Sequence, residues 1–77
     1  MNKRILDNPR NVKFNDLLNL CIKYFGTPRI AGSHHIFKTP WEGRPFINIQ
    51  RAGKMAKVYQ VIEVKKAIAK LEALDEK

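Results

Sequence analysis

Residues 27–50, TPRIAGSHHIFKTPWEGRPFINIQ, decide the fold, because the hydrophobic period of the chain changes there. Thr27–Ala31 reads as a short strand, and Gly32-Ser33 as the turn that closes it. His34–Thr39 is rich in β-branched and aromatic side chains, which suit a pleated surface. Pro40-Trp41-Glu42-Gly43 is loop chemistry, with Gly43 able to take a positive φ. Phe46–Gln50 alternates in part and reads as a third strand. Three short strands with tight connections predict an antiparallel meander.

On either side the period becomes helical. Upstream, residues 11–26 (NVKFNDLLNLCIKYFG) place Phe14, Leu17, Leu18, Cys21 and Phe25 on one face at i, i+3, i+4 spacing. Asn11 is the expected N-cap, with Asn15 the alternative. Gly26 should end the helix, and Pro28 prevents its continuation. Cys21 lies on the apolar stripe and is expected in the core, where burial suppresses the thiolate that a nucleophile needs. Downstream, Val61, Val64, Ile68 and Leu71 form a second stripe, with Leu74 near its end and Glu63, Lys66, Lys70 and Lys77 off it. The order α-β-β-β-α predicts an α+β domain: a three-stranded antiparallel sheet with two helices on one face, the other face free to meet a ligand. Residues 1–10 read as a tail or short irregular arm, and 11–77 as the single domain.

The chain has 77 residues, which allows one domain. A chain of this size buries only roughly 60% of the surface its unfolded form exposes. A doubly wound nucleotide-binding sheet, a TIM barrel and any multi-domain enzyme are excluded. The 44% hydrophobic content is too high for a disordered chain. Fifteen Lys+Arg against seven Asp+Glu give a net charge of +8, the electrostatic footprint of a polyanion binder. Nucleic acid is the first expectation; an anionic membrane, an acidic protein partner and a merely soluble basic protein are the alternatives. One cysteine permits no intrachain disulfide and no cysteine zinc site. The N-terminal stretch MNKRILDNPR lacks the apolar core of a signal peptide, and no run approaches ~20 apolar residues, so the expectation is a cytoplasmic protein without a membrane span.

Few residues are equipped for chemistry. The only histidines, His34 and His35, are adjacent, so on a strand they point to opposite faces and do not readily share a metal ion. The seven carboxylates are scattered, which offers no magnesium site, and no nucleophile triad or phosphate-binding glycine loop is visible. No metal and no cofactor are expected. The stretch RAGKMAK (51–57) supplies Arg51, Lys54 and Lys57 just before the second helix. A helix N-terminus beside such cations is a ready phosphate site, and the plain alternative is a solvated basic loop. Trp41 and Tyr59 could stack on bases, although a loop tryptophan more often packs against its own fold.

The run GSHHIFKTP (32–40) resembles the signature of HicA-type toxins, small ribonucleases of toxin–antitoxin systems. The resemblance extends over most of the chain: FNDLLNLCIKYFG (14–26) is similar to the family's first helix and its closing glycine, and residues 57–71 sit where the second helix begins and runs. It implies a double-stranded-RNA-binding-domain-like fold, cleavage of mRNA, a catalytic histidine that here is His34, and inhibition by a HicB-like antitoxin covering the active face. The chain departs from the family in two places. Many members carry a proline and a further histidine after the third strand, where this chain has Gln50-Arg51-Ala52, so any role of that histidine is missing or passes to Arg51. The linker TPWEGRP (39–45) also differs from the family's short hairpin.

Metal-free RNA cleavage needs a base for the 2′-hydroxyl, an acid for the departing 5′-oxygen and positive charge for the crowded phosphorane. A histidine, with an ordinary pKa near ~6.5, serves in either proton transfer and typically contributes roughly 10²–10⁴-fold. His34 is the expected catalytic group. Arg51 with Lys54 or Lys57 is expected to hold phosphates, Ser33 to bond a phosphate oxygen or fix the turn, and Gly32 to supply turn geometry. His35 is the second candidate, turned towards the helices if His34 faces RNA. Two other functions fit the same pattern. One is an RNA-binding module without catalysis; the other is a DNA-binding domain, which no helix-turn-helix spacing supports.

Overall fold

The computed structural model describes residues 3–75. Helix α1 covers Phe14–Phe25, strands β1 and β2 cover Arg29–Ala31 and His34–Phe37, and β3 covers Ile47–Ile49. Two further short strands, β4 (Arg51–Ala52) and β5 (Met55–Ala56), precede helix α2 (Val58–Asp75). Strands β1-β2-β3 form the expected antiparallel meander, and the class is α+β.

The meander turns where the sequence permits it. Ala31 pairs with His34, so the β1–β2 loop is Gly32-Ser33 alone. Gly32 takes φ +61°, the left-handed value that the first position of a tight II′-type hairpin turn demands and that a side chain resists. The same solution recurs in the stretch 51–57, whose sequence reads as a basic loop. Ala52 pairs with Met55 across Gly53-Lys54, with Gly53 at φ +64°, so this stretch is a second hairpin. Too few residues alternate there for a strand to be visible in the sequence.

That small hairpin also explains why α1 starts as it does. Neither Asn11 nor Asn15 caps it; the N-cap position is Lys13, in extended conformation and with no side-chain cap. The hairpin serves instead. Phe14 N–H donates to Lys54 O at 3.0 Å, Ala56 N–H donates to Val12 O at 2.8 Å, and Lys13 bridges Met55. A free helical donor is thus satisfied by backbone rather than by an asparagine. At the other end Gly26 closes α1 as expected, with φ +85° and its N–H donating to Ile22 O.

One core lies between the helices and one face of the sheet. Phe14, Leu17, Leu20 and Cys21 from α1 meet Val61, Val64, Ala67 and Ile68 from α2 over Phe37, Ile47 and Ile49. Burial pushes the Cys21 thiol up to about 12, so it stays protonated and packs as a small apolar group. Trp41 also packs inward. Its ring meets Phe25 edge to face, its Nε1–H donates to Pro45 O, and the Lys70 ammonium lies over it. No helix of the described residues is long and apolar enough to cross a membrane.

The segment expected to be a tail or short irregular arm is described from residue 3 on, residues 1–2 lying outside the described residues. Lys3–Asp7 and Pro9–Asn11 form two short 3-10 turns laid against α2. Leu6 is only 2% exposed and belongs to the core, with Ile5 packed beside it. Composition hides two apolar residues among charges. Ion pairs from Lys3 to Glu72 (2.8 Å) and Lys65 to Asp7 (3.3 Å) flank the contact, but both are exposed and screened by solvent, so neither holds the segment strongly. Leu6 therefore anchors the segment. Leu6→Ala is expected to lower stability by about 2–5 kcal/mol. Lys3→Ala should change it far less, and urea unfolding midpoints compare the two.

Candidate functional site

Strand parity sorts the two histidines. His35 pairs with Ile49 in the register of β2 and β3 and turns to the helices, where its ring meets Phe14 at 5.2 Å, edge to face. Its Nδ1 is buried without a hydrogen-bond partner among the described residues. His34 therefore points to the opposite face, turned away from Phe14 and the core and bordered by the first turns of α2.

Asn48 shares that face. Its Oδ1 lies 2.9 Å from His34 Nδ1. An amide oxygen only accepts, so in this geometry Nδ1 carries a hydrogen and donates; in the neutral ring the lone pair is then on Nε2. The two side chains stand at one wall of a hollow of about 200 Å³. Arg44 and Phe46, from the β2–β3 connection, and Tyr59, Gln60 and Glu63, from the first turns of α2, line the rest.

A second network braces this site from behind. Gln50, just past β3, bonds three elements at once. Its backbone N–H donates to Gln60 Oε1 (2.8 Å), its Nε2 to Ser33 Oγ (2.9 Å), and its Oε1 accepts from Lys57 Nζ (2.8 Å). Gln60, buried on the core side of α2, also donates through Nε2 to Tyr59 Oη at 3.3 Å. Ser33 and Lys57 are thus tied to the turn that carries His34. Lys57 bonds an amide rather than a carboxylate, so its charge is not neutralised by that contact.

Arg51 and Lys54 lie elsewhere. Arg51 donates to Asn15 Oδ1 (2.6 Å), its guanidinium sits 4.5 Å from the Phe14 ring centre, and with Lys13 and Lys54 it lines a separate hollow at the start of α1. Gln50, not Arg51, is the residue after β3 that reaches the His34 turn. Among the described residues, no three of His, Cys, Asp and Glu gather where they could hold a metal ion.

Sequence reading missed Asn48, Gln50, Gln60, Arg44, Phe46 and Glu63 as site residues. Asn48 was signalled: in FINIQ it is the polar residue whose parity opposes Ile47 and Ile49. Gln60 was signalled too, as a polar residue four before Val64 on the buried face. Arg44 and Phe46 depend on the path of a long connection that no local pattern specifies.

The chain matches no protein-family model, no curated protein and no solved structure.

Asn48→Ala removes the acceptor from an exposed position, so the fold should persist while the His34 ring loses its bias. Nitrogen-15 spectra of the imidazole are expected to show hydrogen on Nδ1 in the native chain and a shift towards the other tautomer in the variant. Identical spectra would mean that Asn48 does not set the tautomer.

Proposed function

We propose that this chain is a toxin of the HicA type: an endoribonuclease that cuts mRNA without a metal, works in the cytoplasm and is neutralised by a HicB-like antitoxin. The observation that carries this reading is the His34 ring. It is half-buried on the sheet face turned away from the core, held through Nδ1 by Asn48, and stands in a hollow rimmed by Arg44.

The chemistry follows from that ring. His34 Nε2 takes the proton of a ribose 2′-hydroxyl as its oxygen attacks the adjacent phosphorus. The bond from phosphorus to the 5′-oxygen breaks, and that oxygen takes up a proton, either the one His34 Nε2 has just accepted or one from solvent water; in the latter case the His34 proton is released to solvent. The products are a 2′,3′-cyclic phosphate and a 5′-hydroxyl. Proton transfer by one positioned group contributes roughly 10²–10⁴-fold. Asn48 keeps the ring in the required tautomer, so it is a positioning residue rather than a catalytic one. Lys57, fixed by Gln50, supplies positive charge near the turn for the phosphorane. Arg51 and Lys54, on their separate surface, fit the role of holding RNA backbone away from the cut.

The net charge of +8 suits both partners of this reading. It draws RNA phosphates, with affinity that falls as salt rises, and it speeds association with an acidic antitoxin. An antitoxin that neutralises must cover the His34 hollow or deny RNA its phosphate contacts.

Induced expression of the native chain is expected to arrest growth and shorten mRNA. His34→Ala should abolish both, lowering cutting at least ~10²-fold while fold and RNA affinity remain. Undiminished cutting by His34→Ala would remove the histidine from the mechanism. A native chain that binds RNA and never cuts it would be an RNA-binding module.

A further inference from the structure

Two aromatic rings stand open on the wall of the His34 hollow. Phe46 is 55% exposed and Tyr59 62% exposed. Single exposed apolar side chains are ordinary, but these two converge on one hollow from different elements. Phe46 comes from the residue just before β3, and Tyr59 from the first turn of α2. Trp41, by contrast, is committed to Phe25 and the Pro45 carbonyl.

The rest of the lining has a definite character. Asn48 is exposed and its contact with His34 uses only Oδ1, leaving the Nδ2 donors on the hollow side, and Glu63 offers a carboxylate that accepts N–H donors; the Gln60 amide is buried and engaged by Gln50 N–H and Tyr59 Oη. The Arg44 guanidinium lies 5.8 Å from the Phe46 ring centre, so a cation sits beside an aromatic face. Rings for stacking, hydrogen-bonding groups between them and a cation at the rim complement one nucleotide: a planar base with N–H donors on its edge and an attached phosphate. A space of about 200 Å³ has room for one base. A base locked in an A-form duplex cannot enter it, because it stays stacked and paired.

We infer that the hollow is a base-stacking subsite, which takes one unpaired nucleotide of single-stranded RNA against Phe46 and Tyr59 and places its phosphate at Arg44. The inference rests on the endoribonuclease reading in setting that nucleotide beside the cut. The substrate is then single-stranded at the scissile bond, despite a sheet-and-helix order that resembles duplex-RNA binders.

The test is made on the full chain carrying His34→Ala, so that RNA is bound without being cut. The probes are a single-stranded RNA oligomer with one 2-aminopurine and a blunt RNA duplex of the same length. Stacking should quench the 2-aminopurine. Phe46→Ala and Tyr59→Ala are each expected to weaken single-strand binding about 5- to 100-fold and relieve the quenching, with duplex affinity unchanged. Tyr59→Phe should retain both affinity and quenching. Circular dichroism checks that the variants fold. Equal loss for both RNAs, no loss, or no single-strand binding would overturn the subsite. So would ring truncations that leave RNA affinity intact and weaken only a protein partner, which would make the hollow a protein-docking site. Ring-dependent binding by a chain whose native form never cuts would defeat the nuclease reading alone. Cutting with ring-independent binding would defeat the subsite alone.

Discussion

His35 meets Phe14 edge to face at 5.2 Å, and this contact between β2 and α1 fixes which face of the sheet carries His34. Strand geometry allows no compromise, since a slip of one residue would send His34 into the core and bring His35 out. Phe37, Ile47 and Ile49 are buried on the same face as His35 and oppose that slip. The orientation of the candidate catalytic ring is therefore set by apolar packing on the far side of the sheet. The cost of exposing those side chains holds the histidine outward.

On the His34 face, amides replace the carboxylates that commonly orient catalytic histidines. Asn48 accepts from His34, and Gln50 gathers Ser33, Lys57 and Gln60. This choice has an electrostatic reason. Under the proposed RNA-cutting function, a carboxylate beside His34 would repel the substrate phosphate, whereas a neutral amide orients the ring without adding negative charge. Glu63 is the one acid in the hollow, and it stands among groups suited to a base rather than to a phosphate. Two of the hollows carry positive charge in different places. Arg44 lines the hollow that holds His34, and Lys13, Arg51 and Lys54 cluster near the start of α1.

Much of this was legible in the sequence because it depends on local pattern. The helical stripe through Phe14, Leu17 and Cys21, the closing role of Gly26 and the turn at Gly32-Ser33 each have a short-range cause. The opposite facing of the two histidines needs only the two-residue period of a strand. What escaped depends on distant partners. The start of α1 is capped by the carbonyl of Lys54, some forty residues away, so the nearby asparagines misled. Leu6 counts as core only because α2 returns to cover it. Arg51 and Lys57, both in the stretch 51–57, go to different surfaces because a hairpin intervenes. Phe46 and Tyr59 converge only after the long β2–β3 connection has been placed.

The central claim is that one imidazole, aided by no metal, lets a ribose cut its own backbone. The most direct measurement is the chemistry of the ends left on a defined single-stranded RNA by the purified chain in the presence of a chelator. The account predicts 2′,3′-cyclic phosphate and 5′-hydroxyl termini, produced at the same rate with and without the chelator. Termini bearing 5′-phosphate and 3′-hydroxyl, or cutting that ceases when divalent ions are removed, would contradict it.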